Sequence, residues 1–380
     1  MEKINATIVI WGRDNYNVLG LLRQLTPYIE RVIFMVYNEK KRCATWSHFC
    51  KETVAVSTYN EGIKYLMEIG ASLKEKKGFI ITTSDTLAEF IDQNYNVLSV
   101  YFHLTGTSRQ GLLTKMQSKV EMCKLSKMIG ITVPKTFILS TDTNINEFEF
   151  PCIIKPEQQT ATVHRRFKYK CIDLPSEAEN FMTELRPDDH YIVQQFIKRE
   201  KEYLIYGCRL ANGEVIIPGA IIKKRWHYGR VVKEVPKEVN VSLIQEFLDK
   251  IDYQGLFSFE YGLMDGNAYF FEVNLRNDGT SLYYYLSGAN MPLLWVASFF
   301  GKEKEVPQIV ERENIFIDGF GDLTSALSKE ISLKQWWHDV KNADIYRYYD
   351  SRDWKPFVGT AIQILPRQLA KILLGRYKHK

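Results

Sequence analysis

The sequence predicts an α/β domain followed by an α+β region, and three observations support this. Over roughly the first hundred residues, short apolar runs typical of buried parallel strands alternate with helical segments. The second half consists mostly of strand-like runs that are joined by Asn-Gly and Asp-Gly turns. A chain of 380 residues is also too long for one ordinary core.

The first domain is predicted to be a doubly wound parallel sheet. Residues 6–11, 31–37 and 78–82 are apolar strand-like runs, and residues 18–25 have helical periodicity. Strands that alternate with helices favour parallel pairing with right-handed crossovers. The loop after the first strand lacks the G-x-G-x-x-G pattern, so it does not predict a dinucleotide site.

The second half is predicted to form antiparallel sheets behind an amphipathic helix at residues 119–129. Gly130 and the following Ile-Thr-Val-Pro segment end that helix. The Asp-Gly turn separates the two most strongly β-prone runs. The predicted strands are residues 152–155, 191–194, 203–209, 214–217, 256–263 and 269–274.

Charge and cysteine usage limit the function classes. The net charge is +5, but residues 351–380 alone hold seven Lys/Arg and one Asp, so the rest of the chain is near −1 (+5 less +6). A near-neutral body argues against a nucleic-acid surface. The six cysteines show no zinc spacing, which indicates reduced thiols in a cytoplasmic protein. We predict neither a signal peptide nor a membrane-spanning helix.

The hairpin of residues 257–276 carries the densest set of candidate functional side chains. Glu260 and Glu272 are equally distant from the glycine of the Asp-Gly turn, so their carboxylates are predicted to face each other across the strand pair. Asn274 and Arg276 follow at alternate positions and share that face. Two facing carboxylates repel unless a cation lies between them, and carboxylate and amide oxygens suit Mg²⁺. A solvated hairpin face is the structural alternative.

Two further segments carry candidate phosphate and nucleotide contacts. Lys155 ends a short buried-type strand before a proline, which gives it a defined direction toward a phosphate, although an ordinary surface lysine is the alternative. Residues 157–170 are rich in cations and are a candidate lid over phosphates. The strand at 191–197 leads into a charged turn, where backbone groups could meet a purine edge and Glu202 a ribose.

Together these segments resemble the ATP-grasp superfamily. Glu260 followed by Glu-Val-Asn-Leu-Arg at 272–276 matches the family pattern E-x(11)-E-x-N-x-R in residue type and spacing. In that family the two Glu and the Asn bind Mg²⁺ on ATP, and the Arg stabilises the acyl phosphate. The resemblance therefore assigns metal binding to Glu260, Glu272 and Asn274, and a catalytic role to Arg276.

The same resemblance assigns the contacts to ATP. Residues 153–156 look like the family's phosphate-contacting lysine strand, which adds Lys155 to the catalytic residues. Because residues 157–170 contain no glycine, side chains such as Lys168 or Lys170 are expected to contact phosphate there. The residues assigned to the nucleotide are Lys119, Lys155, Lys170, Gln194, Ile197 and Glu202.

The resemblance implies a domain order and an activity. Residues 1–112 would be the preceding α/β domain, 113–195 the small subdomain, 196–325 the metal-binding subdomain and 326–380 a basic amphipathic extension. Within the superfamily the chain resembles D-aspartate ligases and carboxylate-amine ligases similar to carbamoyl-phosphate synthase. The implied function is Mg-ATP-dependent coupling of a small carboxylate to an amine. A non-catalytic nucleotide-binding regulatory module is the alternative.

Two segments leave alternatives open. The cations at residues 223–230 are interleaved with aromatic side chains, which fits either an anionic second substrate or a solvated face. Residues 356–380 predict a basic amphipathic helix that either packs on the body of the protein or lies on the inner face of a membrane. The sequence does not predict the oligomeric state.

Overall fold

The structure is a computed structural model that describes residues 1–37, 43–73, 78–158, 161–225 and 227–373, with only the backbone described for 369 and 371–373. Within these residues the chain forms three sheets, which have five, four and nine strands. The fold is mixed α/β and α+β, which confirms the predicted class.

The N-terminal sheet is parallel and has the strand order β3-β2-β1-β4-β5. Helices cover both of its faces: Ile8 and Ile10 of the first strand pack on one side, and Val9 and Trp11 on the other. This is the predicted doubly wound domain. Its strands are β1 Ile4–Gly12, β2 Ile29–Tyr37, β3 Glu52–Val56, β4 Gly78–Thr82 and β5 Phe102–Leu104. Its helices are α1 Tyr16–Leu25, α2 Tyr59–Ser72, α3 Asp85–Gln93 and α4 Tyr95–Leu98.

A short connection leads to a four-stranded antiparallel sheet with the order β7-β10-β8-β9. One face of this small sheet packs on α7 through Ile154, Phe181 and Tyr191. The opposite face carries Lys155 and Gln194. The elements are β6 Gly106–Thr107, α5 Leu112–Met116, α6 Lys119–Met128, β7 Thr136–Leu139, β8 Cys152–Pro156, β9 Lys170–Ile172, α7 Pro175–Thr183 and β10 Tyr191–Gln195.

The third sheet has the main order β16-β15-β11-β13-β14-β17-β18, with β12 paired to β11 and β6 paired to β15. One of its faces shares a core with β1 and α1 through the helices α9 and α10. Its strands are β11 Lys201–Arg209, β12 Val215–Ile216, β13 Ala220–Arg225, β14 Tyr228–Val232, β15 Tyr253–Met264, β16 Asn267–Asn274, β17 Asn314–Ile317 and β18 Ile345–Tyr346. Its helices are α8 Val241–Lys250, α9 Ser281–Leu286, α10 Met291–Ala297, α11 Gly319–Leu327, α12 Leu333–Asn342 and α13 Lys355–Leu373.

The sheets do not stop at the predicted domain boundaries. β6, within the predicted first domain, pairs with β15 of the third sheet. β18, within the predicted extension of 326–380, pairs with β17 and so continues the large sheet past residue 325. The segment after 325 therefore contains a strand of the large sheet.

The C-terminal segment is fastened to the first domain by a buried ion pair. Arg23 Nε donates to Asp353 Oδ2 over 3.0 Å, and the two side chains are 2% and 1% exposed. Ser47 Oγ donates to the same carboxylate over 2.7 Å, and the backbone N–H of His48 donates to it over 3.1 Å. Gly359 lies against the ring of Trp46, so the first turns of α13 pack on the body of the protein. In the part of the chain that is described, no helix is both long and apolar enough to cross a bilayer.

We expect Asp353→Ala to lower the free energy of unfolding by about 3–5 kcal/mol, because Arg23 would be left as a buried charge without its carboxylate. Denaturant unfolding followed by circular dichroism measures this loss. Glu52→Ala is the matched control, since Glu52 also receives two hydrogen bonds from one arginine, Arg31, but at the surface. An exposed pair contributes about 1 kcal/mol or less, so equal losses in the two variants would contradict the expectation.

Candidate active site

The strand register brings Glu260 and Glu272 directly opposite each other, as the sequence predicts. The prediction rested on equal distances of the two residues from Gly266, but the observed pairing has a different cause. Met264 pairs with Asn267 across a two-residue Asp-Gly turn, a register that would set Glu260 against Phe271. A β-bulge between Glu260 and Tyr261 shifts the pairing by one residue and turns Glu272 to the face of Glu260.

The carboxylate pair lies in a poorly solvated place. Burial raises the pKa of Glu260 to about 7, with the charge of Lys223 lowering it and that of Glu272 raising it again. Two facing carboxylates with restricted hydration are stabilised by a cation between them. Among the described residues no group of three or more His, Cys, Asp or Glu side chains could hold a metal. A divalent ion at the pair would thus need oxygens from Asn274 and from phosphate, which suits Mg²⁺.

Hydrogen bonds fix the orientation of Asn274. Its Nδ2 donates to Ser258 Oγ over 3.1 Å across the strand pair, and its Oδ1 accepts from Arg276 Nη2 over 3.0 Å. The amide oxygen is therefore the atom on the side of Arg276. The structure brings Glu260, Glu272, Asn274 and Arg276 together on one face of one hairpin.

Arg276 is held by a carboxylate from the first domain. Its Nε donates to Asp85 Oδ1 over 2.6 Å, and its Nη2 donates to Asp85 Oδ2 over 3.2 Å. Asp278 Oδ2 lies 3.9 Å from Nη1. Burial lowers the pKa of Arg276, but the charges of Asp85 and Asp278 outweigh it and raise the pKa well above its usual range. The guanidinium is thus permanently charged and fixed in direction.

Lys223 forms a bridge between two predicted ligand contacts. Its Nζ donates to Glu202 Oε1 over 2.6 Å and lies 3.5 Å from Glu260 Oε2. Burial lowers the pKa of Lys223, but the charges of Glu260 and Glu202 raise it further than burial lowers it. One lysine thus connects the carboxylate assigned to ribose with a carboxylate assigned to the metal.

Lys155 and Gln194 face the same cleft from the small sheet. Lys155 Nζ donates to Gln194 Oε1 over 2.9 Å, and Gln194 Nε2 donates to Thr136 Oγ1 over 2.8 Å. Burial lowers the pKa of Lys155 to about 8, against the raising effect of the Glu272 charge. That effect shows that the two sheets present their charges to one space.

The other predicted nucleotide contacts lie around this space, with one exception. Lys119 opens α6 and donates from Nζ to the carbonyl of Glu157 over 3.2 Å. Ile197 is 3% exposed and lies between β10 and β11, where the chain passes from the small sheet to the large one. These positions fit a nucleotide between the two sheets.

The exception is Lys170, whose assignment to the nucleotide the structure does not support. Lys170 pairs with Ile154, on the face of the small sheet opposite to Lys155, and its Nζ lies 5.4 Å from the ring centre of Phe181. Lys168 lies nearer the site: partial burial lowers its pKa, and the charges of Glu272 and Glu260 oppose that shift. The two candidates differ in face because β9 begins only at Lys170.

The cations of residues 223–230 do not form one anion site in the described part of that segment, which lacks Trp226. Arg225 pairs with Asp322 and with Asp339, and Arg230 pairs with Glu313. Lys224 Nζ lies 5.7 Å from the ring centre of Tyr228. Only Lys223 of these cations is seen to contact the carboxylates of the cleft.

Asp85, Lys223 and Asp278 are site residues whose contacts with Arg276, Glu202 and Glu260 the sequence did not predict. Asp85 follows the carboxyl end of β4, where ligands bind in open parallel sheets, and that position was its only signal. Lys223 belongs to the cations of 223–230, for which the sequence left an anionic second substrate or a solvated face open. Its contacts with Glu202 and Glu260 were not predicted, because its strand, β13, was not predicted. Asp278 gave no spacing signal of its own.

The three-sheet arrangement can be compared with known folds. No family model matches the chain. A solved structure of N5-carboxyaminoimidazole synthetase from Staphylococcus aureus in complex with ADP superposes with a TM-score of 0.64 at 10% identity, over 90% of this chain and 88% of that one. The L-amino acid ligase from Bacillus licheniformis superposes with a TM-score of 0.60 at 13% identity, over 82% of this chain and 80% of that one. The chain has the ATP-grasp fold.

A sequence relative agrees with this assignment of the ATP-grasp fold. The D-aspartate ligase of Enterococcus faecium (strain Aus0004) is 24% identical over 256 residues, which cover 57% of this chain. The match spans 58% of that ligase, less than two thirds of its length.

We expect nucleotide affinity to fall as the pH rises through about 8. The reason is that Lys155, whose pKa in the free protein is about 8, then loses the charge that would meet phosphate. Isothermal titration with ADP across this pH range measures the effect. Lys155→Arg should bind without that dependence, since a guanidinium stays protonated; a Lys155→Arg profile that falls in the same way would exclude Lys155 as the titrating group.

Proposed function

We propose that this ATP-grasp protein is a Mg-ATP-dependent ligase that activates a carboxylate as an acyl phosphate and couples it to an amine. The observation that carries the proposal is the pairing of Glu260 with Glu272 across one strand pair, beside Asn274 and Arg276. It is supported by the position of this hairpin face opposite Lys155 in an ATP-grasp fold.

In the proposed first step, an oxygen of the substrate carboxylate attacks the γ-phosphorus of ATP, and ADP leaves. Glu260, Glu272 and Asn274 would hold Mg²⁺, which when bound neutralises phosphate charge. Lys155 contacts the phosphates from the small sheet as a point charge. Arg276, fixed by Asp85, stabilises the negative charge of the transferring group and of the acyl phosphate.

In the proposed second step, the amine attacks the acyl carbon and phosphate leaves. The intermediate survives only where water is excluded. Residues 157–170 are the proposed lid, of which residues 157, 158 and 161–170 are described. His164 contacts Asp189 through its Nδ1, and its backbone N–H donates to the same carboxylate over 2.7 Å. This contact fastens the middle of the segment to the loop that precedes β10.

We propose amino-acid-type substrates, with a cell-envelope precursor as one of the two. The support is that the relative from Enterococcus faecium is named a D-aspartate ligase and that one structural neighbour is named an L-amino acid ligase. We also place the protein in the cytoplasm, with the basic segment 356–380 bringing it to the inner face of a membrane. The anionic character of that leaflet supports this location.

We expect Glu272→Ala to lower substrate-dependent phosphate release by at least about 10²-fold, because the facing carboxylate is removed from the phosphate-binding face. A phosphate-release assay that pairs a panel of amino acids and other carboxylates with amines measures this and also identifies the substrates. Glu200→Ala is the matched control: Glu200 accepts a hydrogen bond from the backbone N–H of Asp265 in the same hairpin, away from the face.

Wild-type turnover that requires both an acid and an amine would also exclude the regulatory alternative. Equal rates for Glu272→Ala and the wild type would overturn the proposed function.

We expect Asp85→Asn to lower kcat by about 10–100-fold while ATP affinity stays near that of the wild type, because the observed contact of Asp85 is with Arg276, which it orients through two hydrogen bonds. Steady-state kinetics together with ADP titration separate the two quantities, and Asp85→Glu should recover part of the lost rate. A variant that loses ADP binding as strongly as kcat would show instead that Asp85 serves the fold of the cleft.

A further inference from the structure

The outer face of α13 is apolar where a surface helix is normally polar. Trp354 directly precedes the helix, and Val358, Ile362 and Leu365 follow at spacings of three or four residues, which places all four on one side. Ile362 is 60% exposed, Trp354 is 53% exposed, and Leu365 is 39% exposed.

The opposite side of α13 faces the body of the protein. Pro356, Gly359 and Thr360 are buried there, and Gly359 lies against the ring of Trp46. The helix is thus anchored by its small and polar side chains and presents large apolar ones outward. Such an exposed stripe indicates a contact with another apolar phase.

A groove enlarges this face at the start of the helix. It has a volume of about 550 Å³ and is lined by Trp46 and Trp354, with Thr45, Lys355 and Val358. Tryptophan rings suit the boundary between a headgroup layer and its acyl chains, because they combine a large apolar surface with one polar N–H.

The charge of residues 351–380 indicates which kind of apolar surface the helix contacts. Residues 351–380 carry +6, while the rest of the chain is near −1 (+5 less +6). The one acidic residue of the segment, Asp353, is 2% exposed and pairs with Arg23. The exposed charges of the described helix are therefore cations, such as Lys355 beside the stripe and Arg367 in its last turns. An apolar stripe flanked by cations complements an anionic bilayer surface.

We infer that the outer face of α13, with Trp354, Ile362 and Leu365 at its centre, is the surface that inserts into the headgroup layer of an anionic membrane. The helix lies along the membrane plane, since the inner side of its first turns is attached to the body. This contact does not rest on the proposed ligase reaction, and it can hold or fail independently of it.

The test is co-sedimentation of the full chain with vesicles of phosphatidylcholine, with and without phosphatidylglycerol. We expect binding to the anionic vesicles, weaker binding at high salt, and little binding to phosphatidylcholine alone. The double variant Ile362→Ser/Leu365→Ser should bind about ten-fold or more weakly, since two apolar anchors are lost. Arg367→Glu should weaken binding in the same direction.

Ile309→Ser is the matched control, because Ile309 is 68% exposed and lies outside α13. It should bind anionic vesicles as the wild type does. Phosphate release and melting temperature should be unchanged in all of these variants, which keeps the membrane result separate from the proposed reaction.

Any of three vesicle results would overturn the inference: no sedimentation of the wild type with anionic vesicles, equal binding by the double variant and the Ile309 control, or binding that salt does not weaken. Light scattering in the absence of lipid measures the oligomeric state, and so tests whether a second copy of the chain covers the outer face of α13. A wild-type dimer that the double variant abolishes would assign the face to self-association and overturn the membrane contact.

Discussion

The site depends on one unfavourable contact, the pairing of Glu260 with Glu272 across a strand pair with little access to water. A β-bulge creates that pairing, since the regular register would place Glu272 on the other face of the sheet. The surrounding groups reduce the repulsion between the two carboxylates. Lys223 contacts Glu260, Lys155 approaches from the small sheet, and Asn274 contributes an uncharged oxygen. The hairpin therefore has a strong requirement for positive charge, which the proposed metal–nucleotide complex would supply.

The second constraint is that the cleft is assembled from parts that are distant in sequence. Arg276 lies on the large sheet but takes its direction from Asp85 of the first domain, and Asn17 and Asn277 join the same two regions, with Asn277 Nδ2 donating to Asn17 Oδ1 over 2.5 Å. The helices α9 and α10 bury a common core between the two domains. The first domain is therefore part of the site, since it holds the arginine in position.

The sequence predicts those features of the fold that depend on residues close together in the chain, and it does not predict those that depend on distant contacts. The parallel strands of the first domain and the hairpin around Asp265-Gly266 follow from periodicity and turn chemistry, and the structure has them within a few residues. The strand at 220–225 was missed because its Lys-Lys-Arg ending resembles a solvated loop, and the role of Lys223 was missed with it. The bulge beside Tyr261 has no sequence signature, although its effect agrees with the predicted pairing. Lys168 and Lys170 could not be separated without knowing where β9 begins.

Lys223 has a consequence for the order in which the site is loaded. Its ammonium already balances part of the charge of Glu202 and Glu260, so a bare divalent ion that enters alone meets a half-neutralised set of oxygens and a like charge beside it. In the proposed function, a nucleotide would bring its own anionic groups together with the ion and would give Lys223 a new partner. The internal counter-ion would then favour binding of the metal–nucleotide complex over binding of the free metal.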